Sequence, residues 1–133
     1  MPARLLLDAH ALVWYADNSL LLPEALRHEL DDVQNECVVS IASFWELATL
    51  TNLGRITLLP DLATLLAQVR ANGFRILPLE DAHLVCYAAL PQVLNHRDPF
   101  DRLLIAQAPS EDLTLISRDN KFAQYPGLKV RWN

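Results

Sequence analysis

Five acidic residues of this chain sit where carboxylates could do chemistry together: Asp8 in LLLDAHALVW, Glu46 in SIASFWELA, Asp98 and Asp101 in HRDPFDRLLIAQA, and Asp119 in LTLISRDNKF. Each falls where an apolar, strand-like run gives way to the start of a helix. Strands of one parallel sheet end on a common edge, so carboxylates distant in sequence can meet in one crevice there. No matching cluster of Lys or Arg accompanies them. Two ionised carboxylates about 5 Å apart repel by roughly 3 kcal/mol at an effective dielectric of about 20. Several together therefore hold a proton or need a cation. All-oxygen ligands favour Mg²⁺ or Mn²⁺ over zinc or copper.

Each acid also has a purely local explanation. Ser43-Phe44-Trp45-Glu46 has the spacing of a capping box, with Glu46 reaching back to the cap residue. Asp98-Pro99-Phe100-Asp101 fits an N-cap followed by proline at the first helical position. Asp8 and Asp119 could cap a helix or an Asx turn. Caps are worth about 1 kcal/mol each and are equally made by Ser, Thr or Asn, so a carboxylate at every such position points beyond capping. The two roles are compatible, because a helix N-terminus helps keep an acid ionised.

The elements that must position these groups follow from periodicity. Leu5–Leu7 read as a short buried strand, with a helix from about Ala9 to Ala16 after it. Pro23 opens a second helix reaching roughly Glu36, and Val38–Ile41 read as a strand. The next helix is expected from Ser43 to Gly54, and another after Asp61, where Leu62, Leu65, Leu66 and Val69 repeat at helical spacing. Phe74–Leu79 form a strand and Glu80–Leu90 a helix. Pro99 opens the helix carrying Leu104, Ile105 and Ala108, which Pro109 should shorten. Leu113–Ser117 is a strand and Lys129–Trp132 an edge strand. Alternating strands and helices with short connections imply an α/β sandwich with a mainly parallel sheet.

Other polar residues have two readings each. His96 and Arg97 lie on the loop before Asp98, to contact a phosphate or simply be solvated. Arg102 and Arg118 adjoin acids, as ion pairs or substrate contacts. His10 is expected at the rim of the crevice, His28 and His83 on helix surfaces or partly buried, and Trp14 and Trp45 in packing. No phosphate-binding loop, nucleophile elbow or dinucleotide fingerprint occurs.

The 133 residues suit one domain spanning 1–133, and the formal charge of −5 (11 basic against 16 acidic) repels polyanions from the surface as a whole. A nucleic-acid partner would need metal and a local basic patch. The apolar run in MPARLLLD is too short for a signal peptide, and no stretch approaches the roughly 20 residues of a membrane span. Cys37 and Cys86 form no metal-spaced pair and read as buried free thiols in a reducing cytoplasm.

Taken in order, these motifs resemble the PIN-domain family, and within it the VapC-like ribonuclease toxins of toxin–antitoxin pairs. The likeness runs from the first strand through LISRDNKF, and HRDPFDRLLIAQA is its most specific piece. Asp8, Glu46, Asp101 and Asp119 resemble the four family acids, with Asp98 the extra one of the DPFDR subgroup. Ser117 stands where the family often has Thr. The resemblance implies a PIN-like three-layer sandwich and a Mg²⁺- or Mn²⁺-dependent endoribonuclease that cuts RNA to leave a 5′-phosphate. It implies Asp8 and Asp101 as direct ligands, with Glu46 and Asp119 completing the shell or orienting a water. It also implies a cytoplasmic homodimer and a cognate antitoxin whose C-terminal segment enters the cleft. Substrate would meet Ser117, His96 and rim arginines, from among Arg55, Arg97, Arg102 and Arg118.

Two rivals make different demands. A haloacid-dehalogenase-like phosphatase wants an Asp where His10 stands, and a receiver domain wants an acidic pair and a lysine that this chain lacks in context. A catalytically inactive PIN-like partner-binding module would use its acids only as caps, so that Asp8→Asn would cost little.

Overall fold

Alternation within the short strands decides the architecture. In β1 (Arg4–Leu7), Leu5 and Leu7 enter one apolar cluster and Leu6 the other; in β2 (Glu36–Ser40), Cys37 and Val39 oppose Val38 in the same way. Strands buried on both faces need helices on both sides. The structure, a computed structural model describing residues 2–93 and 95–133, supplies them.

One layer holds α1 (Ala9–Ala16), α2 (Glu24–Asp31), α3 (Ile41–Asn52) and α4 (Leu62–Ala71), which contribute Leu12, Leu26, Leu30, Phe44, Leu47, Leu65 and Val69. On the other face α6 (Pro99–Ser110) buries Leu104, Ile105 and Ala108. Against α6 lies α5 (Asp81–Ala88). Between the layers runs a sheet in the order β3 (Arg75–Leu77), β2, β1, β4 (Thr114–Ile116), β5 (Val130–Arg131). Every pairing in it is parallel. The expected three-layer α/β sandwich is therefore observed, with a sheet more uniformly parallel than anticipated.

The order places the functional edge. The chain runs outward from β1 to β2 and β3, then crosses back to β4 on the other side of β1. At such a switch point the connections leave in opposite directions and open a crevice beyond the strand ends. Asp8 follows β1 at that point, and Asp119 follows β4.

Several boundaries differ from expectation for local reasons. α2 ends at Asp31 because the Asp32 side chain accepts from Gln34 N–H (2.9 Å), turning the chain before β2. α3 starts at Ile41, with Ser40 as its N-cap accepting from Ala42 N–H (3.0 Å). α6 is not cut short at Pro109. It runs to Ser110, and Glu111 N–H still reaches Gln107 O (3.0 Å). Proline in a last turn removes one bond there without forcing a stop.

Candidate active site

The shifted start of α3 changes the meaning of Glu46. With Ser40 as cap, Glu46 lies six residues on, and the capping box expected from Ser43 does not form. Ser43 is buried with its hydroxyl unpartnered, and Glu46 has no hydrogen-bond or ion-pair partner among the described residues. Its local explanation is gone. It half-buries instead in a cleft of about 120 Å³ lined by Asp8, His10, Asp98, Asp101, Asp119 and Phe122.

Three of the other acids do cap. Asp8 Oδ1 accepts from Ala11 N–H (2.8 Å) while only 7% exposed. Asp98 Oδ1 accepts from the N–H groups of Phe100 (2.8 Å) and Asp101 (3.2 Å). Asp119 Oδ1 accepts from Lys121 N–H (2.9 Å) at a short 3₁₀ turn, Asn120–Gln124. Asp101, on the first turn of α6, caps nothing and meets His96, whose Nε2 is 3.1 Å from its Oδ2. No Lys or Arg pairs with any of the five acids among the described residues.

Crowding without neutralisation displaces the acidities upward. Burial, then the charges of Asp101, Asp98 and Asp8, push the Glu46 carboxyl up to about 7. Burial raises Asp8 as well, opposed by the Ser117 hydroxyl and the Ala11 N–H. Asp101 is raised by burial and by Asp98 and Asp8, with His96 pulling back. Three carboxyls held above their ordinary range share one cleft, an arrangement that a bound cation would relieve.

Single donor atoms of His96, Asp101 and Asp119 lie within 4.8 Å of one another. Two carboxylate oxygens beside further carboxylates fit Mg²⁺ or Mn²⁺, and the third donor atom is an imidazole nitrogen. Asp8, expected as a direct ligand, is not in that tight triad and forms the buried wall beside it.

His96 departs furthest from its expected place. It is 3% exposed, not solvated on a loop, and packs edge-on to Phe122 (5.2 Å) and Tyr125 (5.5 Å). Its Nδ1 is buried without a partner. Arg102 is buried too, and Nη1 donates to Pro91 O and Tyr125 Oη (both 3.1 Å). It braces the loop and the Tyr125 ring behind His96, a structural task that is neither the ion pair nor the substrate contact expected as its two readings. Ser117 is buried, and its Oγ accepts from Asp119 N–H (3.1 Å) next to Asp8. Arg55, Arg97 and Arg118 remain exposed.

Other expectations shift. His83 is wholly buried: Nδ1 accepts from Glu80 N–H (3.0 Å), so Nε2 donates to Glu111 Oε2 (2.9 Å). Cys37 is buried, as expected, but Cys86 is exposed. Trp45, expected to pack, is 56% exposed and touches Phe100 edge-on at 5.2 Å.

Comparison with known proteins agrees with this fold. The PIN-domain family model matches residues 5–128. The chain belongs to the PIN-domain family. Among solved structures it is similar to a chain of VapBC2 from Rickettsia felis bound to a DNA fragment from their promoter, at 16% identity and a TM-score of 0.71, covering 97% of this chain and 98% of that one. A chain of DNA-bound VapBC from Salmonella typhimurium gives 16% identity and a TM-score of 0.66, over 98% and 99%. A toxin–antitoxin complex from Klebsiella pneumoniae gives 19% and 0.61, over 92% and 93%. The fold is thus VapC-like. No curated protein matches the sequence significantly.

Proposed function

We propose that the chain is a divalent-metal-dependent endoribonuclease, the toxin of a toxin–antitoxin pair, acting through the acidic cleft. The observation that carries this reading is Glu46. Among the described residues it caps nothing and pairs with nothing, and it is held at about 7 by burial and by three neighbouring carboxylates.

Asp101 and Asp119 would hold Mg²⁺ or Mn²⁺, with Asp8 as a third ligand and Asp98 behind them or on a further ion. A bound divalent ion supplies neutralisation of charge at the phosphate and eases ionisation of an attacking water. The chain's own groups do the rest. His96 orients the Asp101 carboxylate through its Nε2, and the buried ring between Phe122 and Tyr125 keeps that geometry fixed. Glu46, or Asp119, takes a proton from the water that attacks phosphorus in line. The P–O3′ bond breaks, the 3′ oxygen gains a proton, and the products carry a 5′-phosphate and a 3′-hydroxyl. The 2′-hydroxyl is not needed as nucleophile.

This reading extends to the surroundings. RNA would be held against exposed arginines at the rim, among them Arg55, Arg97 and Arg118. A cognate antitoxin with a basic residue in its C-terminal segment would fill the electronegative cleft. Residues 1–133 would act as one domain, as a homodimer, in the cytoplasm. No helix among the described residues is long and apolar enough to cross a membrane.

The competing reading, an inactive partner-binding module, draws on the caps made by Asp8, Asp98 and Asp119. Incubation of total bacterial RNA with Mn²⁺, followed by sequencing of new ends, separates the two. Cuts bearing 5′-phosphates with wild type and none with Asp8→Asn support the nuclease. Folded, Mn²⁺-binding wild type that makes no cuts supports the module.

A further inference from the structure

Asp8 and Asp119 also border a second cavity, of about 330 Å³, whose other walls are His10, Trp14 and Arg118. Its character differs from that of the acidic cleft beside it. His10 and Trp14 lie one turn apart on α1 and share a face, with ring centroids 5.6 Å apart at 32°. Trp132, just after β5, meets the indole edge-on at 5.7 Å and 68°, which fixes its orientation. Arg118 reaches across from the end of β4, its guanidinium carbon 5.8 Å from the centre of the Trp14 ring.

Apart from that contact with the Trp14 ring, Arg118 has no polar partner among the described residues. Arg4, Arg75 and Arg131 are each bound to a glutamate, whereas Arg118 makes no ion pair among the described residues even with Asp119 next to it. A chain of charge −5 here presents a cation and aromatic rings directly against a carboxylate cluster. Rings accept a nucleobase of any sequence by stacking, and a guanidinium accepts the phosphate joined to it. The volume lies at the lower end of the range for small-ligand sites and suits one nucleotide. A basic peptide segment would gain nothing from Arg118.

We propose that this cavity is a nucleotide subsite, holding a base of single-stranded RNA beside His10 and Trp14 and its phosphate at Arg118, adjoining the phosphodiester that enters the acidic cleft. The inference rests on the nuclease reading of that cleft and adds the residues that would hold the neighbouring nucleotide.

The test is binding of a fluorescein-labelled eight-nucleotide single-stranded RNA by anisotropy, with Ca²⁺ replacing Mn²⁺ to prevent cutting. Arg118→Gln is expected to raise Kd about tenfold and to reduce the salt dependence by about one phosphate contact. Arg70→Gln, the same charge change on the exposed face of α4, should stay within about twofold. In a series of RNAs each lacking one base, wild type should lose about tenfold at a single position. Trp14→Leu should bind all of the series equally, a pattern that mere loosening of the fold would not produce. If Trp14→Leu does not fold, the series on wild type and Arg118→Gln decides.

Equal Kd values for Arg118→Gln and Arg70→Gln, with no position-dependent base effect, would overturn the subsite. So would failure of wild type to bind the RNA, even if Mn²⁺-dependent cutting of cellular RNA is observed. Loss of affinity for a partner protein but not for RNA would overturn it in favour of a protein-docking role. Binding that depends on Arg118 and Trp14, in a protein that cuts no RNA, would keep the subsite and remove the hydrolytic reading.

Discussion

The two ends of the parallel sheet treat carboxylates in opposite ways. At the N-terminal end, Arg4 and Glu36 open β1 and β2 as register partners, and the arginine Nε is 2.8 Å from the glutamate. Arg75 at the start of β3 takes the other oxygen at 3.1 Å, and Lys129 pairs with Asp112 at 3.2 Å. The Arg4 hydrogen bond, aided by that of Arg75, holds the Glu36 carboxyl below its ordinary range. At the C-terminal end five acids converge without one Lys or Arg pairing among the described residues, and Glu46 is pushed up to about 7. Both ends carry acids. Only one lacks their counter-charge, and that difference, more than acidity itself, marks where a cation and a phosphate are expected.

The sharpest way to break this contrast is Asp8→Asn. Asparagine keeps the cap on Ala11 N–H while removing a charge. RNA cleavage in Mn²⁺ should fall about a thousandfold or more, while the melting temperature of the metal-free protein stays equal or rises as repulsion is relieved. A large drop in that melting temperature would mean that Asp8 serves the fold first. Next in size is the effect of the ion. Mn²⁺ at about a hundredfold excess over its Kd should stabilise wild type by roughly 2.7 kcal/mol, read as a rise in melting temperature of several degrees. Asp8→Asn should show little of it.

The two ends should also respond oppositely to pH. The Glu46 carboxyl stands at about 7 in the fold against 4.5 when unperturbed, so the folded state binds the extra proton between those values. Metal-free stability attributable to Glu46 therefore falls as pH rises from about 4.5 to 7. Glu36 has the reverse sign. Its contribution is present above its unfolded value of 4.5 and lost as pH falls through the lower folded one. Melting curves in EDTA at successive pH values should reveal the first slope, and Glu46→Gln should flatten it while Arg75→Ala leaves it in place.

His96→Gln should weaken Mn²⁺ about tenfold, since a group that orients a ligand is worth roughly that factor or more. Calorimetry with Mn²⁺ checks it. The smallest effect belongs to the paired end. Arg75→Ala breaks a half-exposed ion pair and should cost no more than about 1 kcal/mol in chemical denaturation.

What was legible in the sequence follows from what is local. Asp8, Asp98 and Asp119 could be placed because strand-then-cap is written in adjacent residues, and the layered fold follows from alternating strand and helix periods. Glu46 is legible as an acid near a strand-to-helix transition, but its local alternative, the capping box, fails. VVSIAS offers two serines, and choosing Ser43 over Ser40 created a capping box that does not exist. The burial of His83 and His96 is not legible locally because it depends on distant partners: Glu111 in one case, Phe122 and Tyr125 in the other. Arg102 beside Asp101 reads as an ion pair or a substrate contact, whereas its direction is set by Pro91 and Tyr125. Contacts across the fold have no signature in neighbouring residues.

A divalent ion is proposed to bind at the C-terminal end of the sheet. Titration calorimetry of Mn²⁺ into wild type and Asp8→Asn at pH 6.5, repeated in buffers of different ionisation enthalpy, tests it most directly. Binding to wild type with release of protons, as Glu46 gives up its own, and much weaker binding to Asp8→Asn, is the predicted result. No binding to folded wild type, or equal binding to both proteins without proton release, would contradict it.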